Sequence, residues 1–572
     1  MNHSAPHIKQ VKHISRHLSL NKGIATLSIL FLGLLVALIM IVPQPAEFLT
    51  HPVNQLRQVY YQAAIIPDVL TDWGYQYTSF FQIPADKIAA SLRNEDSKVW
   101  PIQPTVAISG VLRVSPDNPR YFEDTAGNLV YLTGSHTWAN FQDNGGSDPP
   151  PTFDYETYLN FLAAHNHNFF RLWSWEESRW TTETSDDEYW FNPSPPYKRT
   201  GPALALDGKP RFDLNQFEQA YFDRLRTRVQ AAGQRGFYVS IMLFNGWSVA
   251  DSKGGVTFNN PWKGHPFNIN NNINGLDGDP NRDNSGTEIH TLDVPAITAI
   301  QEAYVRKVID TVSDLDNVLY EISNESDPSS HDWQYHMINF IKEYEAKKPK
   351  QHPVGMTVTF WGGNNEVLLN SPADWISPNG NLHDPEVADG RKVILHDTDH
   401  LCGICGDRAW VWMSFTRGNN PIFMDGYDGA GYGVGGAGFD YDDPNWVSLR
   451  RNLGYTRNYA NRINLKAVTP HGDLASSGYC LANPTGTSAE FLVYLPQGGE
   501  ASVDLSAAVG TFSVEWFDPE KGNTTKGNAV NGGAVETLTA PFDGDAVLYI
   551  YPTTPVSLST RMATPRPSTP SS

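Results

Sequence analysis

The sequence predicts an α/β protein in which a (β/α)8 barrel, residues 108–464, precedes a small antiparallel β-sandwich, residues 465–552. From about residue 108 the chain alternates short apolar runs with amphipathic stretches, which is the pattern of repeated βα units. Beyond about residue 465, short β-rich runs are separated by Gly, Pro, Asp and Asn turns that leave no room for helices. At 572 residues the chain exceeds what one hydrophobic core usually serves, so two domains with tails are expected.

Eight short apolar runs are the candidate barrel strands. They are Leu129–Leu132, Phe169–Trp173, Tyr238–Leu243, Val318–Ile322, Val354–Val358, Trp375–Ser377, Val393–Leu395 and Pro421–Met424. Between them, apolar residues recur at spacings of three and four, as at Tyr221, Leu225 and Val229, and so form one face of a helix that can pack on the barrel. In such a barrel, catalytic groups lie at the C-terminal ends of the strands.

The first 43 residues predict a membrane anchor. Basic residues precede an uncharged run from Gly23 to Val42, and the segment 23–43 is long enough to span a bilayer with residues 1–22 in the cytoplasm and the rest of the chain outside. A cleaved signal peptide, which would make the protein secreted, is the alternative; the run is longer than a signal core and no small-x-small site follows it. Residues 44–107 are interpreted as a stalk or linker, and the Pro, Ser and Thr-rich residues 553–572 as a disordered tail.

The formal net charge of −20, from 62 acidic and 42 basic residues, argues against nucleic acid as a partner. A neutral carbohydrate is compatible with this charge. Aromatic residues make up 12% of the chain, and aromatic faces can stack on the C–H surfaces of sugars, although large cores also need aromatic residues. The composition does not indicate an oligomeric state.

Two candidate acid groups follow predicted strands. Glu325 is preceded by Asn324 at the end of the run Val318–Ile322, and a carboxyl group beside an amide that can hold a sugar hydroxyl suits the protonation of a glycosidic oxygen. Asp397 supplies a second carboxylate at the end of the run that begins at Val393. An Asn-Glu dipeptide alone is weak support, since most are solvated loop or helix-cap residues. Two acids on two strand ends predict a glycosidase.

Asp399 is the alternative to Asp397 as the second acid. Positions 393, 395, 397 and 399 share one parity, so both carboxylates can point inward if the strand stays extended. Asp397 is preferred because it lies nearer the strand end, and Asp399 and His400 then hold or orient the substrate. The structural alternatives are an Asx-turn cap for Asp399 and a satisfied buried histidine for His400.

Further residues near the ends of predicted strands are candidates for binding a sugar. They are His136, Trp138, Arg171, Trp173, Trp175, Asn245, Trp247, Trp361 and Asp425. For any one tryptophan, packing in a loop or core is an equally good interpretation, and Arg171 could be a member of a structural ion pair.

The segments Asn324-Glu325 and Val393–Asp397 resemble the catalytic motifs of the retaining glycoside hydrolase clan with (β/α)8 folds, and the barrel is similar to its apiosidase-like branch. The C-terminal part resembles the "putative collagen-binding" β-domain that often follows such barrels, and the resemblance covers residues 108–552. It implies that Glu325 after strand four is the acid/base and that Asp397 after strand seven is the nucleophile of a double displacement. Arg171 would then support the nucleophile, and Asn324 would hold the hydroxyl next to the anomeric centre. The sequence departs from the clan in offering Asp where most members carry a Glu nucleophile.

Two other function classes remain open. One is a noncatalytic glycan- or collagen-binding surface protein on a barrel scaffold. The other is a metal-dependent hydrolase that uses the His and Asp residues between His383 and Asp407. The glycosidase interpretation requires no cofactor, and its partner is an oligo- or polysaccharide.

One acidic segment fits a calcium-loop template, with oxygen side chains at its first, third, fifth, seventh and twelfth positions. These residues are Asp277, Asp279, Asn281, Asp283 and Glu288. Arg282 stands where the template requires Gly, so a structural calcium site competes with an ordinary acidic surface loop. Cys402 and Cys405 could form a tight disulfide or join Cys480 in a metal site, but zinc prefers four ligands.

Overall fold

The computed structural model describes residues 107–181, 189–250, 260–360, 363–427 and 443–553. The predicted cytoplasmic segment 1–22, the anchor 23–43, nearly all of the stalk 44–107 and nearly all of the tail 553–572 lie outside these ranges. Within the described ranges no helix is long and apolar enough to cross a membrane. The N-terminal anchor therefore stays a prediction.

The barrel predicted from the sequence is confirmed. In chain order the strands before the sandwich are β1 (Arg113–Val114), β2 (Phe122–Glu123), β3 (Leu129–Val130), β4 (Gly134–His136), β5 (Phe169–Leu172), β6 (Arg179–Thr181), β7 (Tyr189–Phe191), β8 (Tyr197–Leu204), β9 (Pro210–Phe217), β10 (Tyr238–Asn245), β11 (Val318–Asn324), β12 (Val354–Thr357), β13 (Trp375–Ser377), β14 (Val393–Asp397) and β15 (Asn420–Met424). The helices are α1 (Tyr155–Ala164), α2 (Gln219–Gln234), α3 (Pro295–Val312), α4 (His331–Glu345), α5 (Asn365–Leu369), α6 (Arg408–Thr416) and α7 (Pro444–Ala460).

Eight of these strands form one parallel sheet in the order β4-β15-β14-β13-β12-β11-β10-β5. The two ends of the sheet meet where the N–H of Asn168 donates to the carbonyl of Thr133 at 3.0 Å, which closes the barrel. Two antiparallel hairpins, β6-β7 and β8-β9, lie in the chain between β5 and β10. Since all eight strands run the same way, their C-terminal ends meet at one mouth.

The predicted first barrel strand, Leu129–Leu132, is wrong. Leu129 and Val130 instead form β3 of an antiparallel three-stranded sheet with β1 and β2, and the first barrel strand is the polar segment Gly134–His136. A Cβ on Gly134 would lie 2.2 Å from the carbonyl oxygen of Phe169, so the glycine permits the close approach of β4 and β5. A strand of Gly, Ser and His carries no apolar signal, which is why hydrophobicity selected its neighbour.

Apolar side chains fill the barrel at the N-terminal ends of its strands. Phe169, Tyr238 and Trp375, each the first residue of its strand, share one buried cluster with Leu112 and Phe122 from the region of the antiparallel sheet β1-β2-β3. This sheet therefore closes the end of the barrel opposite the mouth. The outward faces of the strands pack against the surrounding helices in a separate cluster.

The predicted β-sandwich is also present. Its strands are β16 (Thr469–Pro470), β17 (Cys480–Asn483), β18 (Glu490–Leu495), β19 (Glu500–Asp504), β20 (Thr511–Asp518), β21 (Asn523–Lys526), β22 (Val530–Asn531), β23 (Val535–Thr539) and β24 (Ala546–Pro552). A seven-stranded antiparallel sheet lies against the two-stranded sheet β19-β23. Alternation along β18 puts Phe491 and Val493 between the two sheets, whereas Leu492 and Tyr494 face the barrel.

The sandwich and the barrel share an apolar core. Trp412 on α6 stacks on Tyr494 with ring centroids 6.3 Å apart and an interplanar angle of 18°, and Phe517 packs on the same indole at 5.7 Å. The ion pair between Arg408 on α6 and Asp545 lies at the edge of this contact at 2.9 Å. The domain boundary near residue 465 is therefore a change of architecture within one packed body.

Candidate active site

The side chain of Arg171 lies at the centre of the polar groups inside the barrel mouth. It projects from β5 and is buried. Nε and Nη2 donate to the two oxygens of Glu321 at 2.8 and 2.5 Å, and Nη2 also donates to Asn324 Oδ1 at 2.7 Å. Nη1 donates to Oδ2 of Asp397 at 3.0 Å and to Oδ2 of Asp399 at 2.7 Å. Burial alone would lower the pKa of Arg171, but Glu321, Asp397 and Asp399 raise it well above its usual value. One guanidinium thus joins the ends of β11 and β14.

The carboxylate of Asp397, the last residue of β14, is bound through both oxygens. His136 Nε2 lies 3.1 Å from Oδ1 and 2.9 Å from Oδ2, and the N–H of Asp399 donates to Oδ1 at 3.0 Å. Because a carboxylate only accepts, Nε2 of His136 carries a proton. Burial alone would raise the pKa of Asp397, but His136 and Arg171 lower it below its usual value. The group is therefore an anion at neutral pH, as an attacking carboxylate must be.

Asp399 lies in the short 3-10 turn Thr398–His400 that follows β14. The Asx cap considered for Asp399 is made by Asp397, which accepts the Asp399 N–H. Oδ2 of Asp399 accepts from Arg171 Nη1 at 2.7 Å, and this is the one hydrogen bond to its carboxylate from the described residues. Its side chain is 5% exposed against 1% for Asp397. Asp399 therefore keeps one oxygen available at the same guanidinium.

The amide of Asn324 has a fixed orientation. Oδ1 accepts from Arg171 and lies 3.1 Å from His400 Nε2, so Nε2 of His400 is the donor. Nδ1 of His400 is 2.6 Å from the hydroxyl of Ser377, which can donate to it. Burial, the largest effect, lowers the pKa of His400 and keeps the ring neutral, which agrees with this tautomer. With Oδ1 fully used, Nδ2 of Asn324 is the group left to donate to a ligand.

Glu325 follows β11 directly and is half-buried. Its φ of 45° is a left-handed conformation that costs a non-glycine residue about 1–3 kcal/mol, and such strain clusters at functional sites. Gly246, just after β10, packs directly on this turn. A Cβ at Gly246 would lie 2.3 Å from Cα of Ser326 and 2.5 Å from the carbonyl oxygen of Glu325. The neighbouring strand end thus fixes the backbone that presents Glu325.

The predicted sugar-binding tryptophans lie in one buried cluster at the mouth. Its indoles are those of Trp138, Trp173, Trp175, Trp180, Trp190 and Trp247, of which the sequence did not single out Trp180 and Trp190. Trp173 stacks on His136 with centroids 5.5 Å apart, and Trp175 stacks on Trp180 at 4.9 Å. These contacts give the rings a packing role, and direct sugar stacking stays a prediction.

Two other predicted binding residues have structural partners. Both oxygens of Asp425 accept hydrogen bonds from Arg450 on α7, at 2.9 and 2.7 Å. Asn245 accepts the N–H of Trp247 at 3.1 Å and so caps the turn after β10. Trp361, the remaining candidate, lies outside the described residues.

Sequence reasoning missed Glu321 and Glu176. Glu321 is fully buried against Arg171, and its signal was available, since a charged residue inside the apolar run Val318–Ile322 needs a buried partner. Glu176 is partly buried beside His265 and His290, with one of its oxygens 3.3 Å from Nε2 of each ring. Those histidines lie far along the chain, so no local pattern could pair them with Glu176.

In the segment predicted to bind calcium, the three aspartates accept hydrogen bonds from backbone amides. Asp279 accepts the N–H groups of Asp283 and Asn284 at 3.0 Å, and Asp277 accepts the N–H of Asp279 at 3.1 Å. Across the described part of the chain, no group of three or more His, Cys, Asp or Glu side chains is arranged to hold a metal ion. These contacts are those of an acidic surface loop, and the calcium site stays a prediction.

The cysteines do not form one site. Cys402 and Cys405 are joined in a disulfide, while Cys480 is buried in the core of the sandwich. The disulfide follows the turn Thr398–His400, and the N–H of Cys402 donates to the carbonyl of Thr398 at 2.9 Å. It therefore closes the short loop that comes just after the turn with Asp399.

Two protein-family profiles match parts of the chain. Residues 175–365 match a domain of unknown function, DUF6298, and residues 475–550 match the "Putative collagen-binding domain of a collagenase". No curated protein matches the chain. The second match confirms the type of C-terminal domain that the sequence resembled, but its name alone establishes no affinity for collagen.

Solved structures of glycoside hydrolases share the fold. A glycoside hydrolase family 5 protein from Bacteroides vulgatus ATCC 8482 superposes with a TM-score of 0.51 at 13% identity, covering 80% of this chain and 95% of its own. A protein titled "Glycoside hydrolase" gives 0.50 at 12% identity, covering 78% of this chain and 99% of its own. A further glycoside hydrolase from the same Bacteroides strain gives 0.50 at 12% identity, with 77% and 82% covered. The likeness establishes the fold; membership of the apiosidase-like branch and a retaining mechanism stay predictions.

Proposed function

We propose that this protein is a retaining glycoside hydrolase acting on an oligo- or polysaccharide, with Glu325 as acid/base and Asp397 as nucleophile. The observation that carries the proposal is the bridge through Arg171, which binds Asp397 and also Asn324, the residue before Glu325. The two carboxyl groups therefore stand on strands whose C-terminal ends converge on one buried cation. The fold shared with glycoside hydrolases supports the same conclusion.

The proposed reaction is a double displacement. Protonated Glu325 donates its proton to the glycosidic oxygen while an oxygen of Asp397 attacks the anomeric carbon, and the leaving group departs as an alcohol. The Glu325 carboxylate then takes a proton from water, whose oxygen attacks the same carbon and releases Asp397. Arg171 and His136 keep Asp397 ionised, and Nδ2 of Asn324 donates to the hydroxyl beside the anomeric carbon.

Asp399 is the second candidate for the nucleophile because its Oδ1 is unoccupied by any described group, whereas both oxygens of Asp397 are bound. Asp397 is preferred because it ends the strand and its charge is stabilised by both Arg171 and His136. In this assignment Asp399 orients Arg171 and contacts the substrate. Replacing each Asp by Asn separates the two roles: Asp397→Asn abolishes formation of the glycosyl-enzyme, and Asp399→Asn weakens substrate binding.

The direct test is a panel of aryl glycosides and plant or bacterial polysaccharides, with NMR of the first-formed anomer. We expect retention of configuration, and we expect Glu325→Gln to lower kcat on poor leaving groups by about 10²–10⁴-fold. Glu500→Gln, at an exposed position of the sandwich, is the matched control and should leave turnover unchanged. Unimpaired turnover in a folded Glu325→Gln variant would remove Glu325 from its role, and an inverted product would remove the double displacement.

The proposed chemistry uses no metal ion. Treatment with EDTA should therefore leave the initial rate on the active glycoside within experimental error of the untreated enzyme. A rate that falls with EDTA and returns with added divalent cation would instead favour the metal-dependent hydrolase, with ligands between His383 and Asp407.

A further inference from the structure

A second buried polar group lies beside the turn that carries Glu325. The hydroxyl of Ser326, the next residue, is 2.6 Å from the hydroxyl of Ser323 and 3.3 Å from Nδ1 of His290. The ring of His290 is stacked on Trp333 with centroids 4.5 Å apart and an interplanar angle of 18°. This stacking fixes the plane of the imidazole and directs Nδ1 toward Ser326.

The other side of His290 faces Glu176, a carboxylate in the loop after β5 that is 13% exposed. Nε2 of His290 lies 3.3 Å from Oε1 of Glu176, and Nε2 of His265 lies 3.3 Å from Oε2. Nδ1 of His265 accepts the N–H of Phe267 at 3.1 Å, so its proton is on Nε2 and points at the carboxylate. Burial alone would raise the pKa of Glu176, but His290 and His265 lower it to about 2. Glu176 is therefore a partly buried anion that is hydrogen-bonded to His265 and lies within ion-pair distance of His290.

Glu176 is also connected to the Glu325 turn through the backbone of Asn245 and Gly246. Its Oε1 accepts the backbone N–H of Asn245 at 2.7 Å. The next residue, Gly246, packs on the carbonyl of Glu325 and on the backbone of Ser326 with no room for a Cβ. One carboxylate thus fixes both segments that border the turn, through His290 on one side and through Asn245 on the other.

From these contacts we infer that Glu176 is a positioning residue for Glu325, acting through His290, Ser326 and the Asn245-Gly246 backbone without touching the substrate. The inference rests on the proposed role of Glu325 as acid/base. Glu325 is held at a φ of 45°, a conformation that persists only when its surroundings impose it. Without the Glu176 anion the turn relaxes, and the acid loses its alignment with the glycosidic oxygen.

This role predicts a specific kinetic signature, because acid assistance matters only when the leaving group is poor. The variants are Glu176→Gln and Ser326→Ala in the full chain, assayed on phenyl and dinitrophenyl glycosides of the sugar that the wild-type enzyme cleaves. We expect kcat/KM, which reports the step in which the leaving group departs, to fall at least about tenfold more on the phenyl glycoside than on the dinitrophenyl glycoside. Ser326→Ala removes only a hydroxyl, so it tests the route through His290 even if Glu176→Gln folds poorly.

The matched control is Glu177→Gln. Glu177 is the neighbouring buried carboxyl group, and neither of its oxygens has a hydrogen-bond partner among the described residues. We expect this variant to keep the wild-type ratio between the two leaving groups. An equal loss on both glycosides in Glu176→Gln and Ser326→Ala would show a merely structural role and overturn the inference.

The variant Glu325→Gln distinguishes failure of the inference from failure of the proposed function. If Glu325→Gln shows the leaving-group dependence and the Glu176 and Ser326 variants do not, only the positioning role fails. If Glu325→Gln itself treats both leaving groups alike, the acid/base assignment fails, and the positioning role fails with it.

Discussion

Arg171 is the one cation that contacts all three buried carboxyl groups of Glu321, Asp397 and Asp399. Removing one partner of a buried ion pair leaves an uncompensated charge, which typically costs 3–5 kcal/mol, and here three anions would lose their shared cation. A substitution at Arg171 would therefore destabilise the fold together with the site. For this reason the carboxylates are the better targets for mutation, since Asp→Asn and Glu→Gln keep the volume of the side chain.

Glu177 provides a stability prediction at the residue scale. Burial raises the pKa of Glu177 to about 8 from an ordinary value near 4.5, so the folded state binds a proton more tightly than the unfolded state. Between these two pH values stability therefore falls as pH rises. Glutamine mimics the protonated form and lacks this penalty. Glu177→Gln should match the wild type in unfolding free energy below pH 4.5 and exceed it above about pH 8, by on the order of 5 kcal/mol.

Urea denaturation of both proteins across this pH range measures the difference directly. The gap in unfolding free energy should widen steadily from acid to alkaline pH. A gap that is constant with pH would mean that Glu177 titrates normally in the folded protein.

At the scale of elements, apolar runs predicted seven of the eight barrel strands. The strand Trp375–Ser377 has the predicted bounds, while β10, β11 and β14 run further, into Asn245, Asn324 and Asp397. Polar residues can end these strands because Arg171 and nearby groups in the mouth form hydrogen bonds with them. Such partners are distant in the chain, so a local sequence pattern does not predict them. The missed strand β4 is polar for the same reason, since His136 faces Asp397.

The close packing of the strand ends gives a prediction about Gly246. A Cβ there would lie 2.3 Å from Cα of Ser326, which forces the Glu325 turn to move. Gly246→Ala should therefore lower kcat/KM on poor leaving groups by about tenfold or more, with a smaller loss of kcat/KM on dinitrophenyl glycosides. Steady-state kinetics on both glycosides provides the measurement.

Gly146→Ala is the control for this substitution, because a Cβ at Gly146 meets nothing within 4 Å. It should leave both rates unchanged. Wild-type rates in a folded Gly246→Ala variant would show that the turn does not depend on this contact.

At the scale of the whole molecule, the sandwich is packed against the barrel on one face and covered by β19-β23 on the other. Leu492 and Tyr494 belong to the core shared with α6 and α7, and Phe491 and Val493 to the core of the sandwich. Apolar side chains of the seven-stranded sheet are thus buried on both of its faces, and a collagen-binding role would have to use its other, polar surfaces, such as the exposed strand β21. The isolated residues 465–552 would expose the apolar face that the barrel now covers.

This shared core predicts that barrel and sandwich unfold together. Trp412→Ala removes the indole that contacts Tyr494 and Phe517, and large-to-small changes of this kind cost about 3–5 kcal/mol. We expect one cooperative transition in the wild type and one, at lower denaturant, in the variant. Val535→Ala, at a position that is 58% exposed, is the control and should change little. Separate melting of the sandwich with an unchanged barrel would contradict the shared core.

Whether the sequence predicts a site residue depends on what brings that residue to its hydrogen-bond partners: the regular geometry of the barrel or the course of a long loop. Strand-end position and parity were enough to select Glu325, Asp397 and Arg171, because the barrel brings strand ends together whatever their separation in the chain. The contacts of Glu176 with His265 and His290 depend on long loops, whose course no periodicity encodes. The burial of the tryptophan cluster likewise depends on loops meeting above the mouth.

The central claim is that Asp397 attacks the anomeric carbon while Glu325 protonates the departing oxygen. Its most direct test is to trap the glycosyl-enzyme with a 2-fluoro-substituted activated glycoside of the sugar that the enzyme cleaves, followed by tandem mass spectrometry of the labelled peptide. The account predicts a single glycosyl adduct on Asp397 that is absent from Asp397→Asn. An adduct on Asp399 would contradict this claim. So would a 2-fluoro glycoside that neither labels nor inactivates the enzyme, if the enzyme hydrolyses the parent glycoside with inversion.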